Sequence, residues 1–353
     1  MKNFKLDYRY ILLLAIPLAL ATEWLHWGEI AQFVLSAIAI IPLAGFIGEG
    51  TEELAAHTGP KIGGLLNATL GNAAELIITL VAIKEGVLEL VIASITGSIL
   101  GNLLLVMGIS ILVGGMKNGL QRFSRSQATT HATTLMLAVV AIMIPAIFGA
   151  YIDVDHHEAL RPLSLTVAAI MIVIYVLGIA YSFYGQEKGP LERDAAHVHE
   201  ARWSVRTAII VLGLATFGIV FMSELLVGAL EHTVEALGWS EFFVGIIIVP
   251  LVGNVAEHLV AVQVAIKNQM DLSIEIAMGS SLQIALFVAP VLIFAAALMG
   301  KELAFSFNEF ELITLASAAI VAVFVFKDGR STWLEGAQLL ALYLIIGVAF
   351  FFL

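Results

Sequence analysis

The chain has 353 residues, of which 60% are hydrophobic and only 13% are charged. Soluble globular domains are about half apolar and about a quarter charged, so this composition excludes a soluble domain and indicates a protein whose main solvent is lipid. The net charge of −11 argues against a nucleic-acid partner, which needs a basic face. The absence of cysteine excludes disulfides, thiolate metal sites and cysteine nucleophiles.

Apolar runs long enough to cross a lipid bilayer recur from end to end of the chain. A run of about 20 apolar residues crosses as a helix, whereas barrel strands alternate in segments of about 10 residues, and that alternation is absent. We therefore predict an all-α polytopic membrane protein with eleven transmembrane helices. In chain order the predicted spans are 9–25, 29–56, 62–84, 87–113, 127–149, 162–184, 203–230, 240–266, 272–299, 308–326 and 333–353.

Basic residues in the connecting loops predict the orientation. With the N-terminus in the cytosol, fourteen of the seventeen lysines and arginines fall in inner segments, the exceptions being Lys84, Arg161 and Lys301. This is the positive-inside bias, and it predicts a cytosolic N-terminus and an outside C-terminus. The first apolar run also resembles a cleaved secretory signal. Retention of this run as the first transmembrane helix is favoured, because without it nothing would place the start of the second span on the correct side of the membrane.

Two stretches, "GNAAE" at 71–75 and "GNVAE" at 253–257, are separated by 182 residues, and the same offset superposes Ser98 on Ser280. Each copy belongs to five predicted helices, and an odd number of spans inverts the second copy in the membrane, as in many secondary transporters. The predicted organisation is a leading helix at 1–28, a first five-helix repeat at 29–184, a cytosolic linker at 185–202 and an inverted second repeat at 203–353.

Each copy carries one carboxylate at mid-span, Glu75 and Glu257. A charged side chain there costs about 2.5–3.5 kcal/mol, so we predict that a cation or protons satisfy the pair. The polar neighbours on the same or following spans are Asn72, Asn254, Ser98, Asn102, Ser280 and Gln283. Carboxylate, amide and hydroxyl oxygens are the ligands that Ca²⁺ takes, whereas softer metals would call for sulfur or clustered histidine. For Asn102 and Gln283, a hydrogen bond between helices is an equally good interpretation.

Several other residues admit two interpretations. His258 is either a proton relay, since its pKa lies near neutrality, or a hydrogen-bonding partner of another helix. Glu52 and Glu224 are candidates for the ion path, whereas Glu49, Glu53 and Glu275 are predicted to be interfacial, and the histidine pairs at 156–157 and 197–199 to be solvated loop residues. The glycines at 71, 97, 253 and 279 allow either local unwinding or close helix packing.

The segments "GNAAELIITLVAIKEGVLELVIASITGSILGNLLLVMG" and "GNVAEHLVAVQVAIKNQMDLSIEIAMGSSLQIALFVAP" resemble the two signature repeats of the cation/proton exchanger family, the Ca²⁺/H⁺ antiporters of the calcium:cation antiporter superfamily. The resemblance implies the eleven-helix fold and export of cytosolic Ca²⁺ against inward proton flow. It implies that Glu75 and Glu257 bind the cation and the protons, within the polar set above, and that His258 occupies the position of the family's histidine.

The resemblance further implies a transporter rather than an enzyme, with Ca²⁺ as substrate and no cofactor. The short N-terminus favours a compact prokaryotic-type protein of the cell (inner) membrane. Na⁺/Ca²⁺ exchangers carry Ser- and Pro-containing motifs in place of GNxxE, which points away from Na⁺ coupling. Glu275 departs from the family pattern, which favours a small or neutral residue there.

Three other functions compete with Ca²⁺/H⁺ antiport. The same scaffold can exchange another cation, as in Mn²⁺/H⁺ or Na⁺/H⁺ antiport, and a cation channel would use the acids only to line a pore. An intramembrane enzyme is disfavoured because the predicted spans contain no aspartate pair and no HExxH or DDxxD-like cluster. The sequence leaves a homo-oligomer open.

Overall fold

The computed structural model describes residues 8–151, 159–184 and 201–353. Both loop histidine pairs and most of the predicted linker lie outside these residues. Within them the chain is almost entirely helical. The helices are α1 (Tyr8–Leu12), α2 (Ala15–Leu25), α3 (Glu29–Leu70), α4 (Ala73–Glu85), α5 (Leu88–Leu100), α6 (Met107–Asn118), α7 (Arg125–Tyr151), α8 (Leu160–Tyr184), α9 (Val205–Gly228), α10 (Leu230–Leu237), α11 (Glu241–Phe243), α12 (Val249–Ile266), α13 (Met270–Gln283), α14 (Ala289–Leu298), α15 (Glu309–Phe326) and α16 (Trp333–Phe351).

Three π-helical turns join pairs of these helices into longer segments. They are Gly101–Val106 between α5 and α6, Val244–Ile248 between α11 and α12, and Ile284–Val288 between α13 and α14. With these turns included, nine helical segments among the described residues are long and apolar enough to cross a membrane. They correspond to nine of the eleven predicted spans.

The first predicted span is broken rather than continuous. It consists of α1 and α2, which are separated at Leu13 and Leu14. Pro17 is the cause, because proline has no N–H to donate to the carbonyl of Leu13 and its ring clashes with that carbonyl.

The third predicted span is also broken. It consists of the end of α3 and the whole of α4, separated at Gly71 and Asn72. Further back, α3 is kinked at Gly59, where φ is +80°. Pro60 follows, and proline disfavours helical geometry in the residue before it. Glycine accepts the positive φ without steric cost.

The helix α5 lies at the centre of the molecule, and every residue from Leu90 to Leu100 is buried. A Cβ added to Gly97 would lie 1.9 Å from the carbonyl oxygen of Ile246, and one added to Gly245 would lie 2.6 Å from the Cβ of Ala93. The absence of a side chain at both glycines therefore lets α5 contact the backbone immediately before α12. This contact brings the two motif-bearing parts of the chain together.

Two short strands connect loops that are distant in sequence. Strand β1 (Gln121–Arg122) pairs antiparallel with β2 (Arg330–Ser331), with Gln121 opposite Ser331. On either side of the strands, α6 packs against α16 and α7 packs against α15. The strand pair therefore joins the loop between α6 and α7 to the loop between α15 and α16.

Candidate functional site

Glu75 lies in the first turn of α4, immediately after the break at Gly71 and Asn72. Its side chain is only 1% exposed. The N-terminus of a helix carries a partial positive charge, which favours a carboxylate in the first turn. The helix break thus provides a favourable position for a buried acid.

Three side chains donate hydrogen bonds to Glu75. Its Oε1 accepts from the hydroxyls of Ser98 and Ser94, the latter at 3.4 Å, and its Oε2 accepts from Nδ2 of Asn254 at 3.2 Å. The amide of Asn254 also lies 3.5 Å from the Oγ of Ser98. The carboxylate on α4 is therefore bonded to both α5 and α12. Ser94 was not predicted as a site residue, although it shares a helix face with Ser98 at i, i+4.

Asn72 forms a second set of contacts, directed towards α13. Its Nδ2 donates to Oε1 of Gln283 at 2.8 Å, and its Oδ1 accepts from the hydroxyl of Ser280 at 2.9 Å. Nδ2 of Asn102 donates to the same Ser280 oxygen at 3.1 Å. Asn102 and Gln283 therefore form hydrogen bonds within this set, and ligation of an ion by either of them stays a prediction.

Glu257 lies on α12 and is half-buried. Its Oε2 is enclosed and has no hydrogen-bonding partner among the described residues. Its Oε1 lies 3.3 Å from the position that a Cβ on Gly71 would occupy, and Ser280 lies close to the carboxylate. Glu75 and Glu257 are near enough to interact electrostatically. An enclosed carboxylate oxygen without a donor is unfavourable, so a cation or a proton would stabilise it.

We use the name central polar network for these nine residues, which are Asn72, Glu75, Ser94, Ser98, Asn102, Asn254, Glu257, Ser280 and Gln283. Each lies close to another member, and together they offer carboxylate, amide and hydroxyl oxygens. Among the described residues, no group of three or more His, Asp or Glu could hold a metal ion. A cation bound here would therefore use two carboxylates supplemented by neutral oxygens. This donor set suits Ca²⁺, which accepts such ligands together with water.

The remaining predicted supporting residues lie elsewhere. His258 is half-buried beside Glu257, but successive residues of a helix point about 100° apart, so its ring projects from a different face. Glu52 is exposed on α3. Glu224 on α9 forms an ion pair with Lys84 at 2.8 Å.

Glu53, which is predicted to be interfacial, is buried against the residues that precede α9. Its Oε2 accepts hydrogen bonds from the backbone N–H groups of Arg202 and Trp203, at 2.7 and 2.9 Å. These groups precede α9 and have no partner within a helix, so a buried carboxylate satisfies them. Glu49 instead pairs with Arg9 at 2.7 Å, and Glu275 is exposed.

Comparison with known proteins agrees with the motif resemblance. Residues 28–184 and 207–352 match the family described as sodium/calcium exchanger protein. The Ca²⁺/H⁺ antiporter of Aphanothece halophytica is 44% identical, over 97% of this chain and 95% of that protein. The Ca²⁺/H⁺ antiporter ChaA of Bacillus subtilis (strain 168) is 42% identical, over 96% of this chain and 97% of that protein.

Among solved structures, native YfkE is similar with a TM-score of 0.85 and 40% identity, covering 98% of this chain and 100% of that one. Three observations point to the same family: the long apolar helices, the two motif copies and the nearly complete coverage of these relatives. The predicted resemblance is therefore confirmed, and these relatives are transporters rather than enzymes. The chain belongs to the sodium/calcium exchanger family of membrane transporters.

Proposed function

We propose that this chain is a secondary active antiporter that exports Ca²⁺ from the cytosol in exchange for H⁺. The observation that carries the proposal is the pair of Glu75, which is buried, and Glu257, which is half-buried, within the amide and hydroxyl groups of both motif copies. The names of the two bacterial relatives, both Ca²⁺/H⁺ antiporters above 40% identity, support the same substrate and coupling ion.

The proposed mechanism is alternating access at this single site. When both glutamates are ionised, one Ca²⁺ from the cytosol neutralises the pair, and the loaded transporter reorients. On the other side protons displace Ca²⁺, and the doubly protonated pair returns. The empty site carries two unpaired charges, and burying both away from water is unfavourable. Reorientation is therefore restricted to loaded states, which couples the two fluxes.

We further propose the full arrangement of eleven spans in two inverted repeats. Helices α1 and α2 together cover 8–25 and would span about 27 Å at the usual helical rise, close to the thickness of a hydrocarbon core. The end of α3 and α4 would form the other broken span. Two pairs of contacts related by the 182-residue offset support the repeat, namely Asn254 with Ser98 and Asn72 with Ser280.

The π-helical turns give further support for the repeat. The turn at Gly101–Val106 follows α5, and the turn at Ile284–Val288 follows α13, so both lie at nearly the same place relative to the motif. The loop charges support a cytosolic N-terminus and an outside C-terminus. The membrane is proposed to be a prokaryotic cell membrane, with the linker at 185–202 in the cytosol.

The test is uptake of radioactive Ca²⁺ into inside-out vesicles driven by an imposed proton gradient. We expect Glu75→Gln and Glu257→Gln each to lower uptake more than about tenfold, because a carboxylate–cation interaction in a low dielectric exceeds 1.4 kcal/mol. Glu235→Gln, at an exposed position of α10, is the control and should transport normally. Normal exchange in either site variant would refute the assigned roles.

Selectivity is tested in the same vesicles. Oxygen ligands accept several hard cations, so exchange of Mn²⁺ or Na⁺ for H⁺ is the competing function. We expect excess Mg²⁺ and Na⁺ to leave Ca²⁺ uptake largely unchanged. Stronger uptake of Mn²⁺ than of Ca²⁺ would favour the competing function, and a Ca²⁺ conductance without proton flow would indicate a channel.

A further inference from the structure

Besides Glu53, a further carboxylate is enclosed outside the central polar network, namely Glu311. It lies in the first turn of α15 and is 1% exposed. Its Oε2 accepts from the backbone N–H of Asn308 at 2.9 Å, and the side chain of Asn308 accepts from the N–H of Glu311 at 2.8 Å. This reciprocal capping box fixes the carboxylate relative to the start of α15. The other oxygen, Oε1, is directed at α5.

The partner of Oε1 is the hydroxyl of Thr96, at 2.8 Å. Thr96 lies between Ser94 and Ser98 on α5. With about 100° between successive residues, Ser94 and Ser98 share one face of the helix, and Thr96 points some 200° away from Ser94. One face of α5 is thus bonded to Glu75, and the opposite face is bonded to Glu311.

This double attachment restricts rotation of α5 about its axis. A rotation that withdraws the Ser98 hydroxyl from Glu75 would also displace Thr96 from Glu311. Thr96 is fully buried and Glu311 is 1% exposed, so rotation would leave the Glu311 carboxylate oxygen without this donor. The attachment serves only the first motif copy, because the residue that the 182-residue offset pairs with Thr96 is Met278, which has no hydroxyl.

We propose that Glu311 is a positioning residue that acts through Thr96. It fixes the rotation of α5 and thereby the distance between the Ser94 and Ser98 hydroxyls and Glu75. Glu311 itself binds neither the cation nor the transported protons in this inference. The inference rests on the proposed function, in which Glu75 binds the transported Ca²⁺.

The first test compares Thr96→Val with Thr96→Ser in the full chain reconstituted in proteoliposomes. Initial rates of Ca²⁺ uptake are measured against Ca²⁺ concentration at a fixed proton gradient. Valine removes the hydroxyl at nearly constant volume, and we expect the apparent KM for Ca²⁺ to rise about three- to tenfold. The maximal rate per folded transporter should stay within about twofold. Serine keeps the hydroxyl and should restore the KM.

The matched control is Thr314→Val. Thr314 is a buried threonine one turn along α15, and its hydroxyl donates to the backbone carbonyls of Phe310 and Glu311. Removing this hydroxyl leaves the link to α5 intact, so the KM should not change. If Thr96→Val and Thr314→Val raise the KM equally, the effect comes from general loosening of the helix and the inference is overturned.

A double-mutant cycle with Glu311→Gln tests whether the two residues act through one bond. We expect Thr96→Val combined with Glu311→Gln to raise the KM no further than Thr96→Val alone. Additive effects, or a fall in maximal rate at unchanged KM, would overturn the inference. If Glu311→Gln does not fold, the comparison of Thr96→Val with Thr96→Ser and Thr314→Val still tests the inference. Failure of the proposed function has a different signature, namely normal exchange by Glu75→Gln.

Discussion

The two copies of the GNxxE motif share their letters but differ in structure. In the first copy the chain breaks at Gly71 and Asn72, and Glu75 is buried in the first turn of a new helix with donors on both oxygens. In the second copy Gly253 lies inside the continuous helix α12, and Glu257 is half-buried with one oxygen lacking a donor. The comparison shows that a repeated sequence can provide two acids with unequal surroundings.

The difference extends to the helices that follow. Gly97 contacts the backbone at Ile246 so closely that a side chain cannot fit, whereas a Cβ on Gly279 would meet nothing within 4 Å. The two interpretations of these glycines, close helix packing and local unwinding, therefore apply to different positions. Gly97 serves close packing, and Gly71 lies next to the helix break at Asn72, whereas Gly253 and Gly279 do neither in this conformation.

The largest expected difference between the copies is at Gly97 and Gly279. The Cβ of Gly97→Ala would lie 1.9 Å from a backbone oxygen, which cannot move aside as a flexible side chain would. We expect a loss of roughly 1–3 kcal/mol or more of stability from overpacking and a lower thermal midpoint in detergent. Gly279→Ala is the matched variant and should unfold like the parent. Equal midpoints for the two variants would contradict the structural difference between the copies.

An intermediate effect is expected at Gly71 and Gly253. A Cβ on Gly71 would lie 2.8 Å from the backbone oxygen of Asn67 and 3.2–3.3 Å from Gln283 Oε1 and Glu257 Oε1. One on Gly253 would make ordinary contacts of 3.6 Å or more with Glu75. We expect Gly71→Ala to raise the apparent KM for Ca²⁺ about threefold to tenfold by displacing those oxygens, with little change for Gly253→Ala. Concentration-dependent uptake measures both. A larger effect at Gly253 would mean that the second copy, too, unwinds during transport.

The smallest effect is expected at Ser94, which the second copy replaces with Ile276. Its bond to Glu75 is long, at 3.4 Å, and Ser98 binds the same oxygen. Ser94→Ala should therefore change the apparent KM by less than about threefold, since a bond this long contributes near the low end of the usual range, about 0.5 kcal/mol. Ser273→Ala, at a buried serine whose hydroxyl has no partner among the described residues, should cause no change. A tenfold effect at Ser94 would identify it as a principal site residue.

Hydropathy and the repeat predicted most of the architecture and of the central polar network. The apolar runs predicted eleven spans, of which nine are continuous helical segments among the described residues. The 182-residue offset selected the acids, the two motif asparagines and the serines at 98 and 280, which the structure brings together. These features are local or periodic in sequence, so they are visible without tertiary contacts. Local unwinding at Gly71 was one of two alternatives and was not singled out, because the same Gly-Asn pair continues as a helix at Gly253 and only the surrounding packing distinguishes them.

Long-range partners were also beyond sequence reasoning. The bond between Glu53 and the N–H groups before α9 joins residues about 150 positions apart, and the ion pair of Lys84 with Glu224 joins residues 140 apart. To predict Ser94 as a site residue, one would have to know where the Glu75 carboxylate points. Each of these depends on side-chain direction in the packed protein, which helix periodicity alone does not determine.

The strand pair of β1 and β2 has a mechanical consequence for any transport cycle. Backbone hydrogen bonds tie Gln121 and Arg122 to Ser331 and Arg330, and this attachment does not depend on which side chains are present. Because α6 and α7 extend from one loop and α15 and α16 from the other, we expect these four helices to move as one rigid body. The displacement that exposes the glutamate pair to alternate faces of the membrane would then be carried by the remaining helices.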